Sequence, residues 1–495
     1  MSAVLVAVLV VGFAVAALAV VAPLRVVKVA TVVAGVSSLG LVSSLVPTVA
    51  VRDVTAGAYL RVDALSLVFL LATSLLYALV SVYAVGYVSG EHSGRDVATY
   101  ERRFYVGINV FAASMLAAPL VNGLALLWVA IEVTTVVSAL LVAIDVSDRS
   151  SEAAWKYLLL ASLGLGIALL ATIFMYYSGS QAFGHAFDLR LTPLISAGHR
   201  LPATPTRLAF VLAVLGFGTK VGLVPVHTWL PDAHAEAPTP VSVLLSGALL
   251  ATSLYAVLRY FQITTRAVGP AFPRETLLAF GVASLLLAAL YLLGQRDIKR
   301  LFAYSSIEHM GVLAIGASFA SPLALYGVLL HVIAHAAAKG NAFMGAGVVV
   351  RKYGTKDLAR VQGGLTGLPW SGPLLLASVL ALSASPPFAI FRSEFAIVTG
   401  GFRSHQDAAA AALVVLVTVA FVGLALSTLR VMHGRLEAAV TEDDEPAQLG
   451  AGEPSRLMVV PVVLGVLVLV ALGVHVPGVL NQVLQRGAGE LGVAG

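Results

Sequence analysis

The stretch at residues 2–22 reads SAVLVAVLVVGFAVAALAVVA and contains no charged residue. An apolar run of about 20 residues is long enough to cross the roughly 30 Å of hydrocarbon in a bilayer as an α-helix. A cleaved signal peptide is the alternative, but the stretch lacks the basic first segment and the small-residue cleavage site of such a peptide. We therefore predict a transmembrane helix here.

The composition of the whole chain agrees with this first stretch. Of its 495 residues, 59% are hydrophobic and 11% are charged, whereas a soluble domain is about 45–50% apolar and about 25% charged. This composition excludes a secreted or cytosolic enzyme, and it excludes a disordered protein as well. The chain has no cysteine, which excludes disulfides, iron–sulfur clusters and cysteine-ligated zinc. The sequence therefore predicts an integral membrane protein.

Windows of about 20 apolar residues predict about fourteen transmembrane helices in an all-α fold. The predicted spans lie near residues 2–22, 26–47, 62–88, 104–119, 121–144, 154–178, 207–227, 240–261, 274–294, 301–318, 322–349, 371–398, 408–432 and 457–478. A polar insert at 434–456 precedes the last span, and its acidic run predicts a solvated loop or a disordered connector.

Lysine and arginine predict the orientation, because they collect in the cytoplasmic loops of membrane proteins. The loops after odd-numbered spans hold 17 of the 30 Lys and Arg residues, and the loops after even-numbered spans together with the C-terminus hold 11. This asymmetry predicts a multi-pass protein of the cell (cytoplasmic) membrane with both termini outside.

Three charged residues stand out among those inside predicted spans: Glu132, Lys220 and Lys339. A charge in the hydrocarbon costs at least about 2.5–3.5 kcal/mol, so each of them needs a partner or a function. A lysine near a helix end can extend its ammonium to the membrane surface. Lys220 is about 13 residues, or roughly 20 Å, from the start of its span, so this explanation fails for Lys220.

Lys339 ends the pattern His331-x-x-x-His335-x-x-x-Lys339, which places three ionisable groups on one face of a helix. The two histidines have the spacing of metal ligands, but no carboxylate or cysteine accompanies them on that face, and the lysine cation would repel a metal. A proton relay fits better, because neutral imidazole both donates and accepts protons near physiological pH. The two alternatives to a proton relay for these histidines are a structural role in hydrogen-bonded packing and a metal site.

Two of the predicted spans contain helix-breaking residues. The seventh carries Gly222 and Pro225 close to Lys220, and the twelfth carries Pro386-Pro387 shortly before Glu394. Proline removes a backbone donor and clashes with an earlier carbonyl, so neither span is expected to be a continuous helix. Broken helices at corresponding positions mark the ion pathway in inverted-repeat transporters.

Spans 4–8 and 9–13 are therefore predicted to form two inverted five-helix repeats, each with a broken helix. The corresponding division of the chain is 1–103 for the first three helices, 104–261 and 274–433 for the two repeats, and 434–495 for the polar loop and the last helix.

The segment at 227–238, between the seventh and eighth spans, is rich in titratable groups between two prolines. We predict that this segment is a cytoplasmic loop that admits protons, with His227, Asp232 and His234 as its acceptors. A polar turn in which Asp232 opens a short helix is the alternative.

The sequence TKVGLVPVHTWLPDAH at 219–234 resembles the signature of the antiporter-like subunits of respiratory complex I. Similar subunits occur in Mrp-type sodium/proton antiporters and in group 4 nickel–iron hydrogenases. The resemblance covers spans 3–13. Within this superfamily, EAAWKY at 152–157, YSSIEHMG at 304–311, and PPF followed by SEF at 386–395 resemble hydrogenase-4 component F, the formate hydrogenlyase branch.

The resemblance implies that Glu132 and Lys220 form the coupled pair of a first half-channel. It implies that Lys339 and Glu394 are the central and exit groups of a second. The residues assigned to proton relay or entrance are His227, His234, Asp232, His331, His335, Glu308, His309 and Lys156. Many relatives have a further lysine in the eighth span, but here Ala251 and Thr252 occupy the expected positions.

The expected function is proton translocation by an antiporter-like subunit that draws redox energy from its partners. These partners would be other membrane subunits and a peripheral module similar to a hydrogenase or a quinone reductase. We expect no cofactor, metal or nucleic acid on this chain, and whether it counts as an enzyme is left open. The alternatives are a complex I or Mrp-type cation/proton antiporter subunit and a membrane scaffold that conducts nothing.

Overall fold

A computed structural model describes residues 1–89, 97–433 and 451–492. Most of the predicted polar insert, including its acidic run, lies outside the described residues. The first helices are α1 (Ser2–Val21), α2 (Leu24–Ser44), α3 (Val46–Val49), α4 (Ala64–Val88), α5 (Val97–Leu120), α6 (Leu124–Val142), α7 (Asp148–Phe183) and α8 (Leu191–Ser196). A short antiparallel hairpin of β1 (Val54–Ala56) and β2 (Leu60–Val62) precedes α4.

The chain continues through α9 (Ala203–Val221), α10 (Trp229–Glu236), α11 (Thr239–Leu244), α12 (Leu250–Val268), α13 (Ala271–Leu292), α14 (Ile298–Ser318) and α15 (Pro322–Tyr353). The last helices are α16 (Gly364–Gly367), α17 (Ser371–Leu382), α18 (Ala389–Arg403), α19 (Asp407–Met432), α20 (Arg456–Val474) and α21 (Gly478–Leu491). A 3₁₀ turn at Gly198–Arg200 precedes α9, and a π-helical turn at Leu245–Leu249 joins α11 to α12.

Within the described ranges, eleven helical segments are long and apolar enough to cross a membrane. The other three predicted spans correspond to α9, to α14 and to the pair α17–α18. The first two carry charged residues, and the last is divided into two short helices. The all-α membrane fold is confirmed, and the total of fourteen spans remains a prediction.

Both predicted breaks are present. Helix α9 ends at Val221, and the next residue, Gly222, has a φ of +84° in the left-handed region that favours glycine. In the twelfth span, α17 ends at Leu382 and α18 begins only at Ala389, so the two adjacent prolines lie between helices.

The prediction of a loop at 227–238 was wrong for most of that segment. Trp229–Glu236 form helix α10, and Trp229 and His234 are fully buried. The indole N–H of Trp229 donates to the backbone carbonyl of Thr219 at 2.7 Å, near the end of α9. Since the last carbonyls of a helix have no partner within the helix, this bond ties α10 to the broken end of α9.

The two predicted repeats have matching helix pairs. Helix α5 packs on α6 as α13 packs on α14, and α7 packs on α9 as α15 packs on α18. These are corresponding positions in spans 4–8 and 9–13, but neighbouring helices pack on each other in any bundle, so the repeat itself remains a prediction. The inverted relation between the two halves remains a prediction.

The close approach of α7 and α9 depends on Gly216, which faces α7 where a Cβ would overlap the backbone of Ala168. We expect Gly216→Ala to lower the free energy of unfolding by about 1–3 kcal/mol, because extra volume in a packed interface forces the helices apart. Thermal unfolding in detergent measures this. Gly166→Ala on α7 is the control, because open space surrounds Gly166; equal melting temperatures for both variants would contradict the prediction.

A buried ion pair joins the start of α4 to the middle of α12. Arg259 Nη2 lies 2.6 Å from Asp63 Oδ1, and each side chain is only 1% exposed. The amide of Gln262, on the same helix as Arg259, donates to the carbonyl of Glu490 on α21 at 2.8 Å. Helix α21, which the sequence did not predict, is thus fixed to the bundle.

Candidate functional site

Helices α6, α7 and α9 build the first cluster around Lys220. The lysine is fully buried, and its Nζ donates to Thr134 Oγ1 of α6 at 2.9 Å. The same ammonium lies 5.5 Å from the centre of the Tyr157 ring of α7, within the range of a cation–π interaction. Lys220 therefore has two stabilising contacts, neither of them a carboxylate.

Glu132 lies two residues before Thr134 on α6, and its Oε2 is buried without a hydrogen-bond partner in the structure. Glu132 and Lys220 interact electrostatically, but they form no ion pair within 4.0 Å. The predicted pair is thus present in one cluster but not in contact. The Glu132 side chain as a whole is only partly buried, and an unpaired carboxylate oxygen inside a protein is costly.

Helices α14, α15 and α18 build the second cluster from three histidines and a glutamate. His309 Nδ1 lies 3.1 Å from His331 Nε2, and His331 Nδ1 lies 3.0 Å from Ser393 Oγ. Glu394 Oε1 lies 3.8 Å from His309 Nδ1. The His335 ring lies 5.3 Å from the His309 ring, and neither of its nitrogens has a partner. The three histidines and Glu394, all predicted as relay or translocation residues, therefore form one buried cluster.

Lys339 and Glu308 extend this cluster. Lys339 is fully buried and donates from Nζ to the backbone carbonyl of Phe302 at 3.3 Å. Glu308 is buried and accepts a hydrogen bond from Ser305 at 3.1 Å. The two charges interact electrostatically without an ion pair within 4.0 Å, as Glu132 and Lys220 do in the first cluster.

The argument from the sequence against a metal considered only one face of α15, and the structure adds side chains from other helices. A carboxylate does join the histidines, because α18 supplies Glu394 from outside their helix. Ligand atoms of His309, His331 and Glu394 lie within 4.8 Å of one another, and two histidines with a glutamate are a donor set that suits zinc. The ammonium of Lys339, on the same face of α15, acts against a bound cation.

Asp232 and Lys156 belong to a charged surface rather than to the buried clusters. Lys156 lies 2.6 Å from Glu152 and 3.5 Å from Asp232, and Asp232 also pairs with Arg300 at 2.7 Å. Together with Glu236, these residues line a cavity of about 330 Å³. A polar, partly exposed cavity of this kind is suited to an entrance.

The two histidines of the predicted entrance lie in different surroundings. His227 is largely buried between α9 and α10, and burial lowers its pKa. His234 is fully buried, and its ring lies 5.4 Å from the ring of Phe343 on α15. Its Nδ1 bonds the carbonyl of Leu230 at 2.8 Å, while Nε2 has no partner. His234 thus lies between the first half and the central helix of the second.

The eighth span supplies hydroxyl groups where the expected lysine is missing. Thr252 Oγ1 donates back to the carbonyl of Ala248 at 2.9 Å. Ser246, in the π-helical turn, lies 2.7 Å from Ser306 of α14, oxygen to oxygen. Sequence reasoning missed this serine pair, and no local signal marks it, since a π-turn follows from packing rather than from composition.

Residues 121–420 match the family described as NADH:quinone oxidoreductase/Mrp antiporter, TM. The chain belongs to this family. It is 36% identical over 424 residues to a hydrogenase-4 component F homolog of Methylacidiphilum infernorum, covering 85% of this chain and 86% of that protein. It is 32% identical to hydrogenase-4 component B of Escherichia coli, covering 72% of this chain and about half (52%) of that longer protein.

Solved structures share the fold. The chain resembles one chain of the membrane-bound sulfane sulfur reductase, an archaeal respiratory membrane complex, with a TM-score of 0.83, 21% identity and coverage of 100% and 98% of the two chains. A chain of the Mrp complex from Dietzia gives a TM-score of 0.82 at 20% identity, covering 99% and 97%. The protein is therefore a multi-pass, antiporter-like membrane subunit, as its signature predicted.

Proposed function

We propose that this subunit conducts protons across the membrane through the two buried clusters, driven by a redox module in partner subunits. The observation that carries the proposal is the hydrogen-bonded path from His309 through His331 to Ser393, buried beside Glu394. Charged and titratable groups are rare at this depth, and they mark proton pathways in membrane proteins. The family of the chain supports the same function.

In the second cluster, each imidazole can accept a proton at one nitrogen and release one from the other. A proton would pass between His309 and His331 while Lys339 and Glu308 set the local potential. Glu394 is the exit group. It borders a cavity of about 340 Å³ between α18 and α19, whose other lining residues are apolar except for Thr418.

In the first cluster, movement of Glu132 relative to Lys220 is the switch. Burial favours a neutral lysine, and a nearby carboxylate favours a charged one. Closing two charges from about 8 Å to about 4 Å, at an effective dielectric constant of about 20, adds about 2 kcal/mol of attraction. The hydrogen bond from Lys220 to Thr134 leaves the ammonium free to approach Glu132 when the helices shift.

Protons enter in this proposal at the charged cavity beside Asp232 and Lys156. With no eighth-span lysine, the link between the clusters depends on His234, on the pair Ser246–Ser306 and on water. Of these groups, only the imidazole of His234 can hold an extra proton as a side-chain cation, whereas hydroxyl groups and water only pass protons on.

We further propose that the chain lies in the cell membrane with both termini outside and assembles with a hydrogenase-like module, as the name of its component F relative suggests. A quinone-reductase-like module, or a role as a cation/proton antiporter subunit, is the second candidate, which the family itself favours. Neighbouring genes for hydrogenase large and small subunits would support the first, and a series of Mrp-type genes would support the second.

We expect Lys339→Ala and Glu394→Ala to reduce proton uptake strongly in vesicles that contain the assembled complex, because each removes a titratable group of the second cluster. Lys352→Ala is the matched control. Lys352 lies on the same helix as Lys339 but near its end, where it donates to the carbonyl of Gly452 at 3.0 Å. An equal loss in all three variants would contradict the site, and full uptake in all three would support a scaffold.

A further inference from the structure

An apolar groove of about 610 Å³ opens on the side of the bundle where α1, α5 and α6 meet. Helices α1 and α6 both pack on α5, which forms the floor of the groove with Val106 and Val110. Val20 of α1 lines one side and Leu140 of α6 lines the other, and these two side chains are 58% and 69% exposed. We call this feature the α5 groove.

Two guanidinium groups lie at one end of the α5 groove, near the beginning of α5. Arg102 donates from Nη1 to the carbonyls of Ala19 and Val20 at 2.7 and 2.8 Å, at the end of α1. Arg103 is exposed and forms no ion pair with any acidic residue that the structure describes. The described lining of the groove contains no acidic residue, so its positive charge is not balanced there.

We propose that the α5 groove binds an anionic phospholipid, with an acyl chain against α5 and the phosphate at Arg102 and Arg103. Guanidinium groups bind phosphate oxygens with paired, charge-assisted hydrogen bonds. From Arg103 to Val110, α5 rises by about 10 Å, so the groove runs from the helix ends into the apolar belt. An amphiphile with a negative head and an apolar chain matches both parts.

The position of the groove favours a lipid over a protein segment. Its sides belong to α1 and α6, which are apolar enough to cross a membrane, and its arginines lie at helix ends, where basic side chains meet lipid headgroups. Arg102 is held by the carbonyls of α1, so its charge is already in place before a ligand binds. This inference does not depend on the proton pathway, and it can fail or hold independently of the proposed function.

The test uses the intact complex after delipidation, to which phosphatidylglycerol or phosphatidylcholine is added separately. Native mass spectrometry then measures how much of each lipid stays bound. We expect the wild-type complex to retain phosphatidylglycerol about tenfold more strongly than phosphatidylcholine, because basic groups attract an anionic headgroup. Arg103→Gln should remove this preference, and Val110→Trp, which fills the groove, should remove retention of both lipids. Arg296→Gln, an exposed arginine outside the groove lining, should behave as wild type.

Equal retention of the two lipids by wild type, or an unchanged preference in Arg103→Gln, would overturn the proposal. A cross-link from position 110 to another subunit instead of to lipid would overturn it as well, because the groove would then be a protein interface. Melting temperatures of the variants show whether each complex is folded. Proton uptake is measured in the same variants, so that a failure of the lipid site can be told apart from a failure of the proton pathway.

Discussion

Lys220→Met is expected to reduce redox-driven proton uptake by at least about tenfold, which corresponds to about 1.4 kcal/mol on the rate-limiting barrier. Methionine keeps the length of the side chain and removes the charge. Without that charge, Glu132 has no cation to approach, and the first cluster can no longer alternate between holding and releasing a proton. The measurement is the initial rate of acidification in vesicles that contain the complete complex.

The control for this prediction is Lys352→Met, because it removes a lysine that lies in neither cluster. Both variants must assemble in equal amounts, which the yield of the purified complex shows. The loss of hydrogen bonding to Thr134 alone is tested by Thr134→Val, which should slow uptake less than Lys220→Met does. Wild-type uptake by Lys220→Met would show that the first cluster carries no protons.

Arg259→Met is expected to lower the free energy of unfolding by about 3 kcal/mol, near the lower end of the range of about 3–5 kcal/mol for removing one member of a buried ion pair. The variant leaves the Asp63 carboxylate buried, with Arg61 at 3.3 Å as its remaining ion-pair partner among the described residues. It also removes hydrogen bonds to Tyr255 and Gln262. Thermal unfolding in detergent measures the change.

The double variant Asp63→Asn with Arg259→Met separates a lost ion pair from lost packing. We expect it to be more stable than Arg259→Met alone, because the remaining side chain at position 63 is then neutral. A melting temperature of Arg259→Met equal to that of wild type would contradict the interpretation of this pair as structural.

The sequence was sufficient for those features that depend on local chemistry. Apolar length predicted the helices, and the adjacent prolines Pro386-Pro387 predicted the break between α17 and α18. The cost of a charge in hydrocarbon identified Lys220 and Lys339 as buried functional candidates, and the structure places both at 0% exposure. Each of these inferences uses only neighbouring residues and the bilayer as solvent.

Other features depend on contacts between distant segments, which no local pattern contains. Helix α10 was predicted as a loop, with a short helix as the alternative, because the segment is short and carries several polar residues; in the structure the bond from Trp229 to α9 holds it. Glu394 could not be assigned to the histidines of α15, because the rotation of α18 follows from packing. The separation of Glu132 and Lys220 likewise follows from how α6 and α9 approach each other.

The central claim is that buried, titratable side chains carry protons in coupled pairs. The measurement that tests it most directly is the rate of proton uptake in vesicles for wild type, Glu132→Gln, Lys220→Met and the double variant. We predict that Glu132→Gln is impaired and that the double variant is no slower than Lys220→Met, since residues that act as one unit are not additive. Unimpaired uptake in Glu132→Gln, or losses that multiply in the double variant, would contradict the account.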